Sequence, residues 1–113
     1  MAQYLQVTTT FNSEDEAGRV ARALVERRLA ACTQVLGPIS STYWWQGEVE
    51  EAQEWLLFAK TTDERYPALE GAIRELHSYT VPEILAVPVV AGNFAYLEWV
   101  LASVSLPGGD EAL

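Results

Sequence analysis

The feature that most narrows the fold is the stretch from Cys32 to Thr61, which contains STYWWQGEVEEAQEWLLFAK over residues 41–60. From Cys32 onward apolar residues recur with a period of two. Val35, Ile39, Tyr43 and Trp45 share one parity through a Gly37-Pro38 interruption that reads as a bulge or kink. Gly47 and the glutamates up to Glu54 mark a reversal, and WLLFAKT, Trp55 to Thr61, is then apolar on both parities. A strand of that kind is covered on both faces. Each arm of the hairpin reaches about a dozen residues, roughly 40 Å at ~3.3 Å per residue. A helix over 14–29 covers only about 24 Å at ~1.5 Å per residue, so part of the hairpin overhangs any helical layer. Neighbouring strand residues point to opposite faces, so Trp44 and Trp45 cannot share one core. One fits beneath the helices and the other needs different cover. Either a second subunit supplies it, or a further helix at 93–104 folds across the open face of the sheet.

The flanking segments complete the pattern. In QYLQVTTTF, residues 3–11, Leu5, Val7, Thr9 and Phe11 fall on one face of a strand. Ser13 with Glu16 three residues on is a capping-box pattern, and Ala17, Val20, Ala21, Leu24 and Val25 form the stripe of a helix ending near Leu29. Arg27 and Arg28 suit its negative end. A second helix is capped by Thr62 or Asp63, tolerates Pro67 in its first turn, carries Leu69, Ile73 and Leu76, and ends near His77. PEILAVPVVAG, residues 82–92, reads as a strand whose Pro88 suits a sheet edge. Asn93 then caps a last helix with Phe94, Leu97, Val100, Leu101 and Val104 inward. This order predicts an α+β, ferredoxin-like βαββαβ sandwich with an extra C-terminal helix and a long central hairpin. It forms one domain over 1–106, with a flexible tail at 107–113.

Charge and composition exclude several partners. Sixteen acids against seven bases give a net charge of −9, which repels phosphate backbones, and no Lys/Arg cluster offers a local exception to that rule against nucleic acid. No apolar run is long enough to span a bilayer and none resembles a signal peptide, which predicts a cytoplasmic protein without a membrane partner. A single cysteine excludes an internal disulfide within the chain.

Chemistry-bearing residues are few. Cys32 is a small buried apolar residue or a soft ligand; His77, the only histidine, caps a helix or pairs with Cys32 through the fold. A thiolate, an imidazole and a carboxylate together would suit copper or zinc. HSYTVPE, residues 77–83, taken with Lys60, offers an imidazole, a phenol, a carboxylate and an ammonium that could hold a small polar ligand or an ion. Otherwise these groups form a structural knot in which Lys60 pairs with Glu83. Glu48, Glu50, Glu51 and Glu54 solvate the hairpin end. One histidine and one cysteine leave little scope for a nucleophile–base pair, and no phosphate loop or nucleophile elbow occurs, which argues against an enzyme.

ALVERRLAACTQVLGPISSTYWWQGEVEE, LLFAKTT and LHSYTVPEILAVPVVAGNFAYLEWV, in that order, resemble the CutA family of divalent-cation tolerance proteins from about residue 5 to residue 101. The resemblance implies a homotrimer whose long hairpin strands pair between subunits, similar in architecture to the PII signalling proteins. It also implies a non-enzymatic response to metal ions through binding of copper or similar divalent cations, with no cofactor required. By position, Cys32 matches the family cysteine, Trp45 the tryptophan of Y-x-W-x-G, and His77, Tyr79, Pro82 and Glu83 the segment L-H-P-Y-E-V-P-E. Ser78 and Thr80 depart from its usual proline and acid, and the lost acid removes an oxygen ligand. The expected metal ligands are then Cys32, His77 and Glu83. The alternative is a PII-like regulatory or scaffolding trimer with a small polar ligand in a subunit cleft lined by Trp45, Lys60, Tyr79 and Glu83.

Overall fold

The periodic segments fold in the order β1 (Tyr4–Phe11), α1 (Glu14–Glu26), β2 (Cys32–Trp45), β3 (Glu48–Thr62), α2 (Tyr66–Leu76), β4 (Ile84–Pro88) and α3 (Phe94–Ser103). The computed structural model describes residues 3–105, so the expected tail at 107–113 lies outside the described residues. All strand pairs are antiparallel and the sheet order is β2-β3-β1-β4, the ferredoxin-like arrangement. One sheet face carries the core. Val7 and Thr9 of β1 lie opposite Ala59 and Leu57 of β3, and all four are fully buried beneath Ala17, Val20 and Leu24 of α1 and Leu69 and Ile73 of α2. Each large aliphatic side chain buried there contributes about 1.5–3 kcal/mol.

Several local expectations are corrected. Helix α1 stops at Glu26, because Arg28 adopts the left-handed conformation (φ 58°) and turns the chain towards β2. Ser13 does cap α1, accepting the Glu16 N–H at 3.0 Å, but the Glu16 carboxylate is engaged elsewhere. Helix α2 is preceded by Arg65 with no side-chain cap, while Asp63 instead accepts the Gln3 N–H. Edge strand β4 is only five residues long and ends at Pro88, where a missing donor costs least. In α3 only Val100 is buried; Phe94 is 74% exposed, and the helix packs through Val100 and the following Val104 on Ala31 and Tyr4.

The hairpin carries the main departure. Between Leu36 and Ile39 the register shifts, so Val35 opposes Leu57 while Ile39 opposes Glu54. One extra residue on β2 reverses its parity. Val35 therefore lies on the helix-covered face, and Ile39, Tyr43 and Trp45 lie on the other. Gln46 (φ 51°) and Gly47 (φ 83°) close the tip with two left-handed residues, the turn that matches hairpin twist. The β1–β3 ladder ends at the Phe11–Trp55 pair, so Glu48–Glu54 have β2 as their only strand neighbour. Neither tryptophan reaches beneath the helices: Trp44 is 75% exposed and Trp45 55%.

Candidate functional site

Strand β4 pairs with β1 only from Leu5 to Thr9, which leaves the last residues of β1 without a neighbour on that side. The turn after α2 fills the gap. His77 ends α2, its N–H bonded to the Ile73 carbonyl at 2.9 Å. Its buried ring stacks on Phe11, with centroids 4.2 Å apart and planes 10° apart. Nδ1 accepts the Tyr79 N–H at 3.0 Å, and Nε2 lies 2.6 Å from the Thr10 carbonyl. These partners assign a neutral imidazole that donates from Nε2. Both nitrogens are thereby occupied within the protomer, and His77 offers no free lone pair to a metal.

Two carboxylates tie this turn to the rest of the molecule. Glu16, buried in the first turn of α1, accepts the Ser78 N–H at 2.8 Å and the Ser78 hydroxyl at 2.9 Å. Glu54, buried at the base of the overhang, accepts the Tyr79 hydroxyl at 2.7 Å. Burial, and then the Glu54 carboxylate, push the Tyr79 phenol well above its usual pKa. Sequence reasoning read Glu16 as a capping residue and Glu54 as a solvated acid. The one available signal for Glu54 was its place immediately before the two-faced apolar run.

The other expected site residues lie apart. On the open sheet face Cys32 stands opposite Lys60, and the Lys60 ammonium donates to Gln34 Oε1 at 2.5 Å. Lys60 makes no ion pair with Glu83 among the described residues, and Glu83 is exposed. Burial, then the neighbouring Cys32, raises the Tyr96 phenol above its usual pKa. Thr10, which anchors His77, opposes Leu56, four residues along β3 from the Cys32 partner and so about 13 Å away. Trp45 opposes Glu48, about 40 Å along β3 from Lys60. One protomer thus unites neither Cys32, His77 and Glu83 nor Trp45, Lys60, Tyr79 and Glu83. Among the described residues no group of three or more His, Cys, Asp or Glu side chains is placed to hold a metal ion.

These features define a class: a ferredoxin-like α+β protomer with a projecting two-stranded hairpin and polar groups scattered along its open face. The family model described as CutA1 divalent ion tolerance protein matches residues 5–103. The chain belongs to that family. It is 50% identical over 93 residues to the divalent-cation tolerance protein CutA of Thermus thermophilus, covering 82% of this chain and 90% of that one. It is 46% identical over 91 residues to the human protein CutA, covering 80% of this chain but only 51%, about half, of the human one. A solved Thermus thermophilus structure of the divalent cation tolerance protein superposes with TM-score 0.88 at 46% identity, covering 90% of this chain and 99% of that one. A structure from Archaeoglobus fulgidus, titled a periplasmic divalent cation tolerance protein CutA, superposes with TM-score 0.87 at 35% identity, covering 90% and 99%. No helix among the described residues is long and apolar enough to cross a membrane.

Proposed function

We propose that this chain acts in divalent-cation tolerance as a non-enzymatic homotrimer, PII-like in architecture, whose ligand sites are the clefts between copies. The two-stranded overhang carries this reading. A hairpin with no third strand is marginal in water, yet this one presents Tyr43, Trp44, Trp45 and Val49 to solvent. A second apolar surface lies away from it, on the open face and α3, with Leu85 60% exposed, Val87 52% and Trp99 48%. Two different patches favour a heterologous contact, the hairpin of one copy on the open face of the next, and such contacts close into a ring when the rotation between copies closes. Burying one tryptophan contributes roughly 2–3 kcal/mol. The family resemblance supports a ring of three. In that ring Trp45 of one copy lies over the open face of another, which carries Lys60 near one end and the Tyr79–Glu54 pair about 20 Å along β3, so the hairpin and that face would line the cleft between them. The double substitution Trp44→Ser, Trp45→Ser should sediment as a protomer with an unchanged far-ultraviolet circular dichroism spectrum. A variant still assembled as the wild type would overturn this proposal.

A second reading, binding of copper or a similar divalent cation, draws on the names of the relatives and on Cys32, a half-buried thiol. With His77 engaged in the protomer, Cys32 and Glu83 would be its ligands, brought together only across copies. Copper bound per subunit by native mass spectrometry should then fall to background in Cys32→Ser, and unchanged stoichiometry would remove Cys32 from the site. A cytoplasmic location belongs to this proposal too, and fractionation of cells producing the chain would test it.

A further inference from the structure

The chain has seven basic side chains, and Lys60 is its only lysine. Arg19, Arg22, Arg27 and Arg74 each meet a carboxylate, and Arg28 and Arg65 donate to backbone carbonyls. Lys60 is different: its partner is the neutral carboxamide of Gln34. Its surroundings are also unusual for a chain of net charge −9. Cys32, Gln6 and Val87 share its row across the open face; Gln34, Phe58, Thr8 and Leu85 form the next row. Neither row contains an acid. The next carboxylate on that face of β3 is Glu54, about 20 Å along the strand, and it already accepts the Tyr79 hydroxyl.

An ammonium so placed is tolerable while water reaches it. Covering the open face with a neighbouring copy withdraws that water, and a desolvated ammonium without a counter-charge costs several kcal/mol. We propose that the intersubunit cleft anchors a small oxyanion, a carboxylate or a phosphate, on Lys60. Because Gln34 Oε1 accepts from Lys60, the Gln34 amide nitrogen is left as a donor beside two remaining ammonium hydrogens. Gln6 adds a second carboxamide from the adjacent strand. The donor set suits oxygen anions and opposes a cation at the same point. This inference rests on the trimer reading above and names the ligand class of its cleft.

A single lysine makes the test direct. Labelling with lysine carrying ¹³C at Cε gives one side-chain signal, followed while inorganic phosphate or acetate is added at constant ionic strength against chloride. The signal should shift saturably with one of the oxyanions and not with chloride. Calorimetry should show the affinity falling at least ~10-fold in Lys60→Met and by less in Lys60→Arg, the loss expected for a charge-assisted hydrogen bond. Sedimentation of the same samples reports assembly. A trimer whose lysine signal stays flat, or a Lys60→Met trimer that binds as tightly as wild type, overturns the oxyanion site alone. A flat signal would mean that a neighbour's carboxylate neutralises Lys60. A wild-type protomer mass would overturn the assembly beneath it.

Discussion

Tyr79→Phe probes the junction where the turn after α2 meets the hairpin. The substitution removes one hydroxyl and leaves the ring. Glu54 then stays buried with its only described side-chain donor lost. A hydrogen bond to a charged group has a net value of about 1.5–3 kcal/mol, and that is the expected loss. Urea unfolding should be followed at one protein concentration, since assembly makes midpoints concentration-dependent. A pH series adds a readout that lost packing would not move. Tyr79 holds its proton in the folded protein well above the ordinary value near 10, through burial first and Glu54 second. Its contribution is therefore complete below about pH 10, where the unfolded phenol is also neutral. Above that, the unfolded chain releases the proton while the folded one keeps it, so stability falls as pH rises. Wild-type protein should lose stability more steeply than Tyr79→Phe above about pH 10. Tyr66 and Tyr96, raised in the same direction, are present in both proteins and cancel in the difference. Equal stabilities within about 0.5 kcal/mol and parallel curves above pH 10 would refute the Tyr79–Glu54 link.

At the bulge, a Cβ on Gly37 would run into the Trp55 indole, whose Cγ would lie only 2.8 Å away. Gly37→Ala should therefore cost about 1–3 kcal/mol in urea unfolding, and no change would mean that the indole is free to move. At the turn, Ser78→Ala removes one donor to buried Glu16, and Ser78→Pro removes both. Ser78→Pro should be the more destabilised by roughly 1.5–3 kcal/mol, and equal values would show that the Ser78 N–H bond contributes nothing.

Much of this architecture is visible in residue periodicity. The alternation Val7, Thr9, Phe11 names the buried face of β1, and Ala17, Val20 and Leu24 name that of α1. These signals are local, because one burial pattern repeats with one period. Where the backbone leaves its period, pattern reading fails. Arg28 in a left-handed conformation ends α1 at Glu26, short of the limit near Leu29 that the sequence suggests, and the β2 bulge sends Val35 and Ile39 to opposite faces. Long-range partners were hidden for a different reason. Glu16 and Ser78 are 62 residues apart, and Tyr79 and Glu54 are 25 apart. Only the fold brings them together. The expected Lys60–Glu83 pair was chemically reasonable, but Lys60 opposes Gln6 in the sheet while Glu83 precedes the strand that begins opposite Thr9. His77 was conspicuous as a lone histidine, but nothing local to it revealed that both nitrogens are occupied.

The mass of the wild-type protein in solution tests the central claim most directly. A chain of 12.5 kDa that covers its hairpin with a neighbour's open face should sediment at three times that mass at micromolar concentration. A stable species at 12.5 kDa, with Trp44 and Trp45 still open to solvent, would contradict the account.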